Sequence, residues 1–323
     1  MDFILAEEER VKQPDEPAVF AGLLERLSRQ SVTPGRHFDA FNDIDWDAPE
    51  MRIDPHDLRF ELTDDHVLGA TRWYRDQPPD IRARIGLHLI ANNMKTGLEF
   101  ESVLKRGLLD YATTLPNRSP QFRYVYHEVI EESQHALMFQ EFVNRSGFDP
   151  PGLPRLLRSG TRLVISDGHR FPAMFFMFIL GGEDPIDHVQ RTALRSGRAL
   201  HPLLERIMRI HVTEEARHLS FARHYLKTQV PKLGPVARRA LTYEAPVILA
   251  VMAQMMMRPS RQVVRTYEIP KSVVREAYTK NARHRANSQA ALRKVRALCA
   301  ELGLITRSSH QVWRSLGIWG PTR

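Results

Sequence analysis

The chain has one cysteine, Cys299, in 323 residues, so neither an internal disulfide nor a thiolate metal cage can be built. A lone thiol fits a reducing compartment, and a cytoplasmic location is expected. Long apolar runs are missing too. The two richest stretches, residues 171–182 and 245–257, are each about a dozen residues, short of the ~20 that a spanning helix needs. Both read as buried helices, and no membrane partner is expected. The opening segment Met1–Arg10 carries Asp2, Glu7, Glu8 and Glu9, the wrong charge for a signal peptide. Nowhere is there a sustained period-2 run of β-branched residues. With 42% hydrophobic and 26% charged content, disordered and collagen-like classes are excluded.

Basic charge is present in surplus, a net +8, but it is uneven. Residues 1–79 hold 9 basic and 18 acidic side chains, residues 80–230 hold 20 and 16, and residues 231–323 hold 17 and 4. The cluster Lys280, Arg283, Arg285, Arg293, Lys294 and Arg296 is not interleaved with aromatics, so a solvated helix face is the simplest reading and no nucleic-acid partner is expected. A non-enzymatic basic helical binding protein is the alternative of a different class.

Helical periodicity dominates. An amphipathic helix is expected over 16–30, irregular chain over 39–55 and a short helix over 64–75. Four long helices follow, at about 80–111, 121–145, 171–196 and 200–228, separated by proline and glycine. Beyond Pro231, helices are expected over 236–257, 270–281 and 282–302. The tail from Ile305, with Trp313, Leu316 and Trp319, should pack back on the body. The fold class is therefore all-α. One domain spans 1–323, with a bundle core at about 80–230, an N-terminal decoration at 1–79 and C-terminal helices at 231–323.

The segments HEVIEESQH (127–135) and HVTEEARH (211–218) each hold a Glu-Glu-x-x-His string. Glu132 with His135 and Glu215 with His218 lie three apart, on one helix face. Two such pairs facing one another across a four-helix bundle bind two metals when each remaining helix adds a carboxylate. Glu101 lies 31 positions before Glu132, and Glu183 lies 32 before Glu215. Both sit on apolar stripes, where a carboxylate costs several kcal/mol unless a cation pairs with it. Glu99 and Asp184 compete for these places and lose on helix phase. His211, four before Glu215, projects from the same face. The candidate ligands are thus Glu101, Glu132, His135, Glu183, His211, Glu215 and His218. Oxygen donors mixed with imidazole suit two iron ions, or manganese. Glu131 and Glu214, one residue off that face, are placed to orient the histidines across the bundle.

On these residues the chain resembles the p-aminobenzoate N-oxygenase family of ferritin-like di-iron arylamine oxygenases. The extra histidine four residues before the second Glu-x-x-His, here His211, is the most discriminating element. The resemblance implies a ferritin-like four-helix bundle holding a di-iron centre that activates dioxygen and N-oxygenates an amine to a hydroxylamine, nitroso or nitro product. An external electron donor is required and a homodimer is expected. Phe100, Leu104, Phe139, Phe176 and Ile179 are candidates to line the substrate pocket. Gly181, Gly182 and Pro185 suggest a kink beside Glu183. A di-iron desaturase or hydroxylase acting at carbon is the competing enzyme reading, but it does not predict His211 as a ligand. A radical-generating subunit would want a tyrosine where Phe139 stands, and iron storage would want a shorter, cage-forming chain.

Overall fold

The computed structural model describes residues 16–320, so the acidic segment Met1–Arg10 and the last three residues of the tail lie outside the described residues. The described residues contain no named strand and form thirteen α-helices: α1 (Glu16–Gln30), α2 (Arg72–Arg75), α3 (Pro79–Ala112), α4 (Pro120–Ser146), α5 (Arg155–Arg170), α6 (Pro172–Arg195), α7 (Pro202–Gln229), α8 (Pro235–Met257), α9 (Arg261–Thr266), α10 (Lys271–Tyr278), α11 (Ala282–Ala291), α12 (Arg293–Glu301) and α13 (Arg307–Ser315). The fold is all-α, with α3, α4, α6 and α7 as a ferritin-like bundle.

Proline and glycine set the bundle's joints. Each of α3, α4, α6 and α7 begins with proline in its first turn, where the missing N–H has no helical partner to lose and φ is already helical. Gly147 ends α4 at φ 74°, a left-handed conformation that costs other residues a Cβ clash. α3 pairs with α4, and α6 with α7. α1 lies across α4 and α7, while α8, α11 and α12 cover α6.

Several sequence expectations need correction. The helix expected over 64–75 is a single turn, α2. Residues 63–71 form successive turns that bury Val67 and Leu68, and a Cβ on Gly69 would strike the Thr63 carbonyl. α5 and α9 were not foreseen. The glycine-containing sequence of α5 hides its helix, and Phe171, at φ −143° and ψ 66°, separates it from α6. The basic helix expected over 282–302 is broken at Leu292 into α11 and α12.

Arg296 does not belong to a solvated face. It is 1% exposed, and its Nη1 donates to the Gln289 carbonyl at 3.0 Å and the Ile318 carbonyl at 3.1 Å. The tail is held there, with Trp313 buried. The apolar stretch 245–257, too short by itself, is part of a helical run long and apolar enough to cross a membrane by length and composition. Its Leu241, Ala245, Leu249 and Ala253 are buried in the core. α6 continues through Pro185, and its glycines serve close packing: a Cβ on Gly182 would collide with the Phe100 ring.

Candidate metal centre

The four bundle helices bring the seven residues singled out by spacing to one place. α3 supplies Glu101, α4 Glu132 and His135, α6 Glu183, and α7 His211, Glu215 and His218. All seven are fully buried. Ligand atoms of Glu132, His135, Glu215 and His218 lie within 4.8 Å of one another, as do those of Glu101, His135 and His211 and those of Glu183, His211 and Glu215. His218 Nδ1 is 2.9 Å from Glu132 Oε1 and 3.1 Å from Glu215 Oε1. His135 Nδ1 is 2.9 Å from Glu132 Oε2. His211 Nε2 sits 3.8 Å from Glu101 Oε1 and 3.7 Å from Glu215 Oε1.

Four fully buried carboxylates this close together cannot all stay ionised without cations. Burial, followed by the charges of Glu132 and Glu183, pushes Glu101 well above the usual carboxylate range. Burial and Glu215 do the same to Glu183. Burial would raise Glu132 as well, but His218 and a hydrogen bond from His135 hold it well below. Burial opposes charge on His135, yet hydrogen bonds to Glu132 and Glu214 raise it to about 10. His218 is likewise raised, by Glu132 and Glu215 against burial. Burial and the neighbouring His135 push His211 well down, leaving a neutral imidazole.

Neither oxygen of Glu101 or Glu183 receives a hydrogen bond from the described residues, and neither ring nitrogen of His211 has a partner. Unsatisfied polar atoms at this density are rare in native interiors. A donor set of four carboxylates and three imidazoles, with lone pairs directed inward, fits divalent transition metals.

The residues one step off this face tie the helices together. His135 Nε2 is 2.9 Å from Glu214 Oε2, and His218 Nε2 is 2.7 Å from Glu131 Oε2. Each histidine of one helix is thus held by the carboxylate of the other, leaving its Nδ1 toward the cluster. Sequence reasoning missed Arg217, buried at 2.8 Å from Glu131 Oε1 and 3.6 Å from Glu214 Oε1. It also gave no role to His37, whose Nδ1 lies 3.5 Å from Glu214 Oε1, beside the Phe38 N–H that donates to the same oxygen at 3.0 Å. Lys105, whose Nζ donates to the Glu132 carbonyl at 3.2 Å, escaped notice as well. The Glu-Glu-Ala-Arg-His string could have flagged Arg217, three residues after Glu214 on the same face.

Glu99 stands apart from the cluster, but it is not simply solvated. Its Oε2 accepts the Leu153 N–H and its Oε1 pairs with Arg158, each at 2.9 Å. Asp184, itself buried, pairs with Arg223 and is not part of the cluster. Of the five residues expected to line a pocket, Phe139 borders a cavity beside the cluster and Phe100 a different one. Leu104, Phe176 and Ile179 are plain core.

Comparison with known proteins adds three findings. The family described as P-aminobenzoate N-oxygenase AurF matches residues 20–303. An uncharacterized protein of Mycobacterium bovis and one of Mycobacterium tuberculosis are each 39% identical over 307 residues, covering 95% of this chain and 90% of theirs. No solved structure matches the chain.

Proposed function

The chain belongs to the p-aminobenzoate N-oxygenase family, and from that membership we propose that it is a di-iron monooxygenase that N-oxygenates an amine. The observation that carries this reading is the fully buried set of Glu101, Glu132, His135, Glu183, His211, Glu215 and His218, in which both oxygens of Glu101 and Glu183 and both ring nitrogens of His211 have no hydrogen-bond partner among the described residues. These seven would hold two irons, four carboxylates and three imidazoles supplying the donor atoms. A reduced iron pair bound there supplies the electrons that activate dioxygen.

The chain's own residues do the rest. Glu131 and Glu214 fix the ring orientation of His218 and His135, so each Nδ1 carries its lone pair toward the metal. Arg217 offsets the charge of those two carboxylates. Phe139, its ring 5.3 Å from that of His211, walls the site against water. The reading includes one ferritin-like domain, a cytoplasmic location, a homodimer and an external reductant, the last as the family implies.

The test is metal analysis followed by turnover. Protein expressed with iron supplementation should carry about two irons per chain, and with a chemical reductant and oxygen it should convert an aromatic amine to its hydroxylamine or nitroso product. Protein that holds no transition metal would overturn the assignment.

A further inference from the structure

A cavity of about 180 Å³ lies on the His211 side of the cluster, with walls from α3, α4, α6, α7 and α8. Gly97, Phe139, Ile186, Met208 and Met256 make it apolar, and Gln190 is its most informative polar group. The glycine lets α3 pack closely on Phe139 at the cavity wall: a Cβ there would come within 3.2 Å of that ring. Drug-sized ligands occupy about 300–1,000 Å³, so this volume suits a single ring. Phe139 stands between the cavity and the metal cluster, its ring 6.4 Å from that of His135 and 5.3 Å from that of His211.

Among the described residues, no lysine, arginine, histidine or acidic side chain lines this cavity. The amine for which the family is named carries a carboxylate that is ionised at neutral pH. Placing that anion in an apolar cavity without a cationic partner is strongly unfavourable. Gln190, in contrast, is 7% exposed and its Oε1 has no hydrogen-bond partner. A buried amide oxygen left open is an acceptor for an amine N–H.

We propose that the substrate entering this cavity is an uncharged one-ring amine whose nitrogen is oriented by Gln190, and that aminobenzoate anions are excluded. The proposal rests on the oxygenase reading for its chemistry, but the cavity's preference can be measured without turnover.

The measurement is calorimetric binding to the iron-loaded protein without reductant, repeated on metal-free protein, using 4-toluidine, 4-aminobenzamide, 4-aminobenzoate and toluene. 4-Toluidine and 4-aminobenzamide should bind at least about a hundredfold more tightly than 4-aminobenzoate, the consequence of burying an unpaired charge. Gln190→Leu should weaken 4-toluidine about tenfold, the loss of one hydrogen bond, and leave toluene unchanged. Val189→Arg, a cation at the half-exposed rim, should restore 4-aminobenzoate binding by at least about tenfold.

Equal affinity for 4-aminobenzoate and 4-aminobenzamide would overturn the exclusion of anions. An equal loss of toluene and 4-toluidine in Gln190→Leu would overturn the orienting role. Failure of every amine to bind iron-replete protein would overturn the cavity's assignment while leaving the oxygenase reading standing, whereas absence of iron is read separately by metal analysis.

Discussion

His211 has a neutral ring with both nitrogens unpartnered, 3.7 Å from Glu215. A side chain so placed has lost its water without gaining a bond, which is tolerable where a metal completes it. His211→Ala should therefore lower the iron content from about two per chain to about one, read by elemental analysis. Glu131→Ala, which frees the His218 ring without removing a ligand, should weaken metal binding about 10–100-fold, measured by competition with a chelator. Because burial and neighbouring carboxylates raise Glu101 and Glu183, and carboxylate partners raise His135, to about 10, and His218, these groups favour their protonated forms, and a metal must compete with those protons. Metal uptake should then release protons into weak buffer, and affinity should fall as pH is lowered. The ligating types were legible because Glu-x-x-His spacing and apolar phase are local. Arg217 was legible only in its local place three after Glu214; its partner Glu131 lies 86 positions away, and His37 meets Glu214 from 177.

Helix boundaries were readable where proline opens a turn and glycine closes it, as at Pro120 and Gly147. They were not readable in α5, which starts after Pro154, lacks a strong apolar run and is held by contacts from elsewhere. Glu99 anchors Leu153 and Arg158 near its start, and the Gly168 backbone presses on the Gly107 carbonyl. Near Glu183 the glycines and Pro185 lie within one continuous helix, and tertiary packing gives Gly182 its use. Gly182 lets α6 approach Phe100 on α3. Gly182→Ala should cost about 1–3 kcal/mol of stability by overpacking, measured by urea unfolding, and Phe100→Leu in the same chain should recover part of that loss.

Across the whole molecule, some of the unevenly spread charge is met by pairing between distant segments. Lys294 reaches Asp187 at 3.5 Å, and Lys227 pairs with Glu301 at 2.8 Å, while Arg296 holds the tail. A metal that binds only the folded bundle stabilises it by mass action, so loading chelator-stripped protein at about a hundred times Kd should raise Tm by about 5 °C, measured by scanning calorimetry. An offset of 83 positions maps Glu131, Glu132 and His135 onto Glu214, Glu215 and His218, but it maps Glu128 onto His211. Glu128 is buried, and burial lifts its pKa to about 8, so a neutral acid stands where the other half has an imidazole. Two irons held in this framework would experience different ligand fields. Frozen protein labelled with ⁵⁷Fe should give two resolved Mössbauer doublets, and stepwise titration with reductant should fill one before the other.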